Sequence, residues 1–69
     1  MASDTYYITR ENSEDLLDCA ATFQDAIRIA RDLVREGEAG DPVNIEHKGL
    51  TVRQMVLMPD GTVEEEAIR

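Results

Sequence analysis

A single amphipathic stretch most constrains how this chain can fold. Between Phe23 and Glu36 the apolar residues recur three and four positions apart, which is the spacing of one face of an α-helix. The stripe consists of Phe23, Ala26, Ile27, Ala30, Leu33 and Val34. Helix-stop signals then follow at Gly37, Gly40 and Pro42. One helix cannot bury this stripe alone, so the rest of the chain must provide a surface for it.

The segments on either side of this helix have the composition and two-residue period of strands. The predicted strands cover residues 5–10, 43–46, 50–58 and 62–68. Turns are predicted near His47-Lys48-Gly49 and at Pro59-Asp60-Gly61, because proline presets φ and glycine accepts the positive φ that a hairpin turn needs.

Residues 16–21 have two interpretations. They continue the helical spacing of the stripe, so they fit the first turns of a longer helix capped by Asn12 or Ser13. They also fit a short second strand, because Thr22 followed by Asp25 resembles a capping box that starts a new helix. The sequence leans toward the strand and leaves both interpretations open.

These elements predict one α+β domain spanning residues 1–69. Its single helix is expected to pack on one face of a three- to five-stranded, mostly antiparallel sheet. The other face of the sheet then has no cover within the chain. With Met55 and Leu57 placed on that uncovered face, a homodimer through the sheet is one expectation.

The charge balance excludes some partners. Fifteen acidic residues against seven Lys and Arg give a formal net charge of −8 on 69 residues. Such a field repels phosphate backbones and anionic lipids, so we expect no nucleic-acid partner and no membrane association. The same charge serves solubility or attracts a basic protein partner. No signal peptide and no run of about 18 apolar residues is seen, which makes a cytoplasmic location the default.

No catalytic, cofactor-binding or metal-binding residue is predicted. Cys19 is the sole cysteine, so an intrachain disulfide is excluded, and with one histidine the chain lacks a four-ligand zinc set. We expect Cys19 to be a buried small apolar residue and His47 to be a surface histidine near a turn, with Glu46 on the opposite face of its strand. Neither Ser3 nor Ser13 lies in a nucleophile elbow, and the glycines form no phosphate loop.

The helix carries one further pattern, a stripe of Arg28, Arg31 and Arg35 beside the apolar face. Ion pairs along the helix, such as Arg28 with Asp25 and Asp32, are the simpler interpretation. Binding of an acidic peptide or a phosphate by the arginines is the alternative, which the surrounding negative charge disfavours.

Two families resemble parts of this chain. The matching residues are Tyr6-Tyr7-Ile8-Thr9-Arg10, then the segment from Thr22 to Arg31, which reads T-x-x-x-A-x-x-x-A at its start, and the Asp60-Gly61 turn. They resemble small bacterial domains of unknown function and, more weakly, HicB-type antitoxin domains. The second resemblance implies a strand-rich acidic protein that neutralises a small basic toxin. Neither resemblance identifies a functional residue in this chain.

The sequence therefore predicts a non-enzymatic, acidic binding or structural module that needs no cofactor. A homodimer and a basic protein partner are both expectations. The antitoxin-type role is the alternative function.

Overall fold

A computed structural model describes residues 4–11 and 15–68 and contains one helix packed on a five-stranded antiparallel sheet, which confirms the predicted α+β class. Its elements are β1 (Tyr6–Arg10), β2 (Leu16–Ala20), α1 (Phe23–Glu36), β3 (Val43–His47), β4 (Leu50–Leu57) and β5 (Val63–Ala67). The spatial order of the strands is β2-β1-β3-β4-β5. The β1–β2 hairpin and the β3–β4–β5 meander are thus joined side by side through β1 and β3, and α1 crosses between them.

The ambiguous segment before the helix is a strand. Residues 16–20 form β2, which pairs with β1, and α1 begins at Phe23. Thr22 is the N-cap, and its side-chain oxygen accepts a hydrogen bond from the Asp25 backbone N–H at 3.2 Å. The N-cap half of the predicted capping box is therefore formed. Asn12 and Ser13, the alternative caps, lie outside the described residues.

The core lies between α1 and the three central strands. Its fully or almost fully buried members are Ile8, Ala26, Ala30, Val34, Val43, Ile45 and Met55. Directly opposed pairs in the sheet, Ile8 with Ile45 and Val43 with Met55, place the strand members side by side under the helix. Ala26 and Ala30 have no Cγ, so the backbone of α1 can approach the sheet closely.

Met55 and Leu57 lie on the helix side of the sheet, so the expectation that they occupy the uncovered face is wrong. Met55 is fully buried and Leu57 packs against the core. The cause is a register shift between β3 and β4, where Thr51 opposes Glu46 but Arg53 opposes the next residue, Ile45. One extra residue on β4 reverses the alternation of the side chains that follow it.

Both predicted turns are present. Lys48 and Gly49 have φ of 56° and 81°, the positive values of a two-residue hairpin between β3 and β4. In the β4–β5 turn, Gly61 has φ of 92°. There the Asp60 Oδ1 accepts hydrogen bonds from both the backbone N–H and the hydroxyl of Thr62.

Candidate functional site

The sheet has one covered and one uncovered side. The helix side carries α1, and the open face is the set of strand side chains that the register directs away from it. This open face consists of Tyr7, Thr9, Leu16, Cys19, Asn44, Glu46, Thr51, Gln54, Val56, Glu64 and Glu66. It is mostly polar, unlike the opposite side of the same strands, and is therefore built for contact with water or with a polar partner.

The charged side chains of the open face are all acidic. Glu46 lies on β3, and Glu64 and Glu66 lie on the edge strand β5. Glu11 joins them, because its Oε1 accepts a hydrogen bond of 2.6 Å from the Gln54 amide. The open-face residues defined above, all in the described part of the chain, include no Lys or Arg. Four carboxylates thus share one surface with no positive charge among them.

The arginines of the described region lie on the helix side, where most of them are paired. Arg28 pairs with Asp25 at 3.1 Å, as the helix spacing predicted. Arg31 and Arg53 both reach Glu65, at 3.1 and 3.2 Å. A fourth pair joins Arg10 to Asp41 at 2.6 Å. Arg35 is exposed in the last turn of α1, where a cation also stabilises the helix dipole. The two sides of the sheet therefore differ in charge, because the described arginines all lie on the helix side and Lys48 lies in the β3–β4 turn.

Hydrogen bonds hold several open-face side chains in place. The Thr9 hydroxyl donates to the Glu46 Oε2 at 3.2 Å. The Gln54 amide donates to the Asn44 Oδ1 at 3.0 Å as well as to Glu11. Asn44 is only 9% exposed, so its bond to Gln54 satisfies a buried polar group. These contacts cross three strands and fix the orientation of the groups that carry them.

Tyr7 is the one aromatic ring on the open face. It is 42% exposed and lies directly opposite Glu46 on β3 and Cys19 on β2. The other two aromatic residues are on the helix side, where the Tyr6 ring contacts the Phe23 ring at a centroid distance of 5.6 Å.

Cys19 is exposed, so the prediction of a buried cysteine is wrong. The register between β1 and β2 shifts by one residue: Thr9 opposes Leu16 and Ile8 opposes Asp18. The extra residue, Leu17, packs against the core, and Cys19 is turned to the open face beside Tyr7.

His47 is the last residue of β3, just before the turn in which we predicted it. Its ring stacks on the Tyr6 ring at a centroid distance of 4.1 Å, and it is partly buried. His47 opposes Tyr6 and therefore lies on the helix side, whereas Cys19 opposes Tyr7 on the open face. The sheet separates the thiol from the imidazole, so the two cannot form a nucleophile–base pair.

No protein-family model matches the chain, and neither a curated protein nor a solved structure gives a significant match. Within residues 4–11 and 15–68, no His, Cys, Asp or Glu side chains gather in a group of three or more that could hold a metal ion. The helix in this part of the chain is too short and too polar to cross a membrane.

The grouping of acidic residues on one face was not predicted from the sequence. The alternation of Glu46 with Ile45, and of Glu64 and Glu66 with Val63, is the signal that could have found it. That signal shows that each glutamate lies on the side of its own strand opposite to the apolar residue. It does not show that β3 and β5 present their acids to the same side, because that depends on the pairing through β4.

Proposed function

We propose that this chain is a non-enzymatic binding module that docks a basic protein surface on the open face of its sheet. The observation that carries the proposal is the segregation of charge. Four carboxylates and no described cation lie on the open face, while the arginines of the described region lie on the other side of the sheet. A field of one sign over a fixed surface attracts and orients a partner of the opposite sign.

The same charge disfavours a homodimer formed by two open faces. Two like charges 10 Å apart repel by about 0.4 kcal/mol in water, and a face-to-face dimer would bring four carboxylates against four. The larger apolar side chains of this face are Tyr7, Leu16 and Val56, which lie on three different strands among polar neighbours and offer too little apolar area to offset that repulsion. A basic partner reverses the sign of every one of these interactions.

A basic toxin of the kind implied by the HicB resemblance is one partner with this chemistry. The proposal depends on the charge of the face and is independent of that resemblance. An enzymatic role has less support, because the thiol and the imidazole lie on opposite sides of the sheet.

Fluorescence anisotropy with a labelled twelve-residue peptide of alternating arginine and alanine tests the proposal. We expect binding at 20 mM salt that weakens steeply at 300 mM salt, because exposed charges are screened over about 8 Å at physiological ionic strength. The open-face variant carries Glu46→Gln, Glu64→Gln and Glu66→Gln. Each lost exposed pair is worth about 0.2–1 kcal/mol, so the variant should bind about 3- to 150-fold more weakly.

A matched variant controls for net charge. It removes three exposed acids from α1 and the loop after it, with Asp32→Asn, Glu36→Gln and Glu38→Gln. Both variants have the same formal charge, so a face-specific interaction weakens only in the open-face variant. Equal weakening in the two variants, or no binding of the peptide by the unmodified protein, contradicts the proposal.

A further inference from the structure

The centre of the open face pairs an aromatic ring with a carboxylate. Tyr7 and Glu46 are directly opposed on β1 and β3, the second and third strands of the five. Directly opposed residues on one face of an antiparallel pair have Cβ atoms about 4.5–5.5 Å apart. A ring that is 42% exposed and a carboxylate are therefore neighbours on the surface proposed above to bind a basic protein.

The Glu46 carboxylate is held in place from one side only. The Thr9 hydroxyl donates to Oε2 at 3.2 Å. No hydrogen bond from any described residue reaches the other oxygen, Oε1. A carboxylate whose orientation is already fixed loses less conformational entropy when it binds a cation.

Arginine and lysine differ in what they can do at such a position. The guanidinium group is flat, stacks on aromatic rings and donates several hydrogen bonds in its own plane. The lysine ammonium is a compact, strongly hydrated point charge that makes less use of a neighbouring ring. A tyrosine beside an oriented carboxylate discriminates between these two cations, whereas isolated glutamates attract both.

We infer that Tyr7 and Glu46 form an arginine-binding site at the centre of the docking face. An arginine of the basic partner stacks on the Tyr7 ring and donates hydrogen bonds to Glu46, and the outer glutamates attract the partner's other cations. This inference rests on the proposed function and adds to it the type of side chain that the partner must present. Tyrosine is also among the residues enriched at the centres of protein interfaces.

Two labelled twelve-residue peptides test the inference, one alternating arginine with alanine and the other alternating lysine with alanine. On the unmodified protein we expect the arginine peptide to bind about two- to fivefold more tightly, which is the contribution of one exposed cation–π contact. Tyr7→Leu should remove this preference and leave the affinity for the lysine peptide within about twofold. Circular dichroism confirms that the variant is folded before its affinities are compared.

A second glutamate on the same face is the matched control. Glu46→Gln should weaken the arginine peptide more than the lysine peptide, whereas Glu64→Gln on the edge strand should weaken both equally. Equal affinity of the two peptides for the unmodified protein overturns the arginine site. A preference for the arginine peptide that survives in Tyr7→Leu also overturns it. Both outcomes leave the docking face intact. If neither peptide binds, the docking face itself is refuted, and the arginine site with it.

Cys19 provides an independent reporter of position. It is the sole thiol of the chain, it is exposed, and it lies directly opposite Tyr7 on the side away from β3. A saturating concentration of the arginine peptide should slow its reaction with a thiol reagent several-fold. An unchanged rate at saturation places the peptide elsewhere and overturns the arginine site.

Discussion

The Arg53 guanidinium lies over the Phe23 ring, with Cζ 4.9 Å from the ring centroid. The same guanidinium pairs with Glu65 through Nη1, and the Nε atom is buried without a hydrogen-bond partner among the described residues. Phe23 in turn contacts Tyr6, whose ring stacks on His47. The first residue of α1 is thereby tied to β1 and β4, so the start of the helix is fixed by these contacts as well as by its cap.

A double-mutant cycle of Phe23→Leu and Arg53→Met should give a coupling free energy of about 0.5–1 kcal/mol, the size of a cation–π contact at a partly exposed site. The cycle is needed because Arg53→Met also removes the unpaired, buried Nε–H. Removing that group is favourable and offsets part of the stability lost with the cation–π contact. Urea denaturation followed by circular dichroism supplies the four stabilities. Arg28→Met is the control partner for Phe23→Leu, since Asp25 is the one ion-pair partner of Arg28 among the described residues, and this second cycle should be additive.

Ala30 is fully buried between α1 and the sheet, so a larger side chain there must displace its close-packed neighbours. Ala30→Leu should destabilise the domain by about 1–3 kcal/mol through overpacking. A chain of this size has only about 3–5 kcal/mol of net stability, so the variant should be largely unfolded well below the melting temperature of the parent. Ala39→Leu, in the exposed loop after α1, should change stability by less than about 0.5 kcal/mol. Equal effects at the two positions would contradict the described packing.

The elements of this fold could be predicted from local sequence. Helix α1 spans Phe23–Glu36, the segment predicted to be helical, because the Thr22 cap and the glycines after Glu36 define its ends. The β4–β5 turn followed from the requirement for positive φ at Gly61. Each of these features is decided by interactions within a few residues of the chain.

The two incorrect side-chain placements, at Cys19 and Met55, have one physical origin. Each lies after a register shift in its strand, and an extra residue reverses which side every later side chain faces. Such shifts are set by the pairing with another strand. The alternation of residues within one strand carries no information about that pairing. The acidic open face was hidden for the same reason, because it depends on how β3, β4 and β5 align.

The Asp60 carboxylate gives the β4–β5 turn a dependence on pH. Hydrogen bonds from the Thr62 hydroxyl and then from the Thr62 backbone N–H lower the pKa of Asp60 below 3.8. A lowered pKa in the folded state means that the ionised form stabilises the fold above the unfolded-state pKa. This contribution is lost as the pH falls through the folded-state pKa. In NMR titrations, the Asp60 midpoint should therefore lie below the ordinary value for an aspartate.

Thr62→Val tests the cause of this shift. It removes the hydroxyl donor, which is the larger cause, and keeps the backbone N–H. The Asp60 midpoint should rise toward 3.8 without reaching it. The stability difference between parent and variant should be present at neutral pH and shrink in acid. An unchanged Asp60 midpoint in Thr62→Val would show that the hydroxyl does not stabilise the carboxylate.

Cys19 should react with a thiol reagent in the folded protein about as fast as in urea, because its side chain is exposed on the edge strand β2. A buried reference is Val43→Cys in a Cys19→Ser background, since Val43 is fully buried. That thiol reacts only after the domain opens. With about 2–4 kcal/mol of stability left after the substitution, its labelling should be slower by about 30-fold or more.

Fast labelling of Cys19 would thus follow from exposure and would be no evidence of a catalytic thiol. The two explanations differ in the rate expected relative to the unfolded chain. If exposure is the sole cause, the thiol of the folded protein is labelled as fast as that of the unfolded chain. If the thiol is activated, labelling of the folded protein is faster than that of the unfolded chain near neutral pH, because a larger fraction of the thiol is ionised. The base that could activate the thiol is the sole imidazole of the chain, His47, and it lies on the other side of the sheet from Cys19. We therefore expect the folded rate to stay at or below the unfolded one.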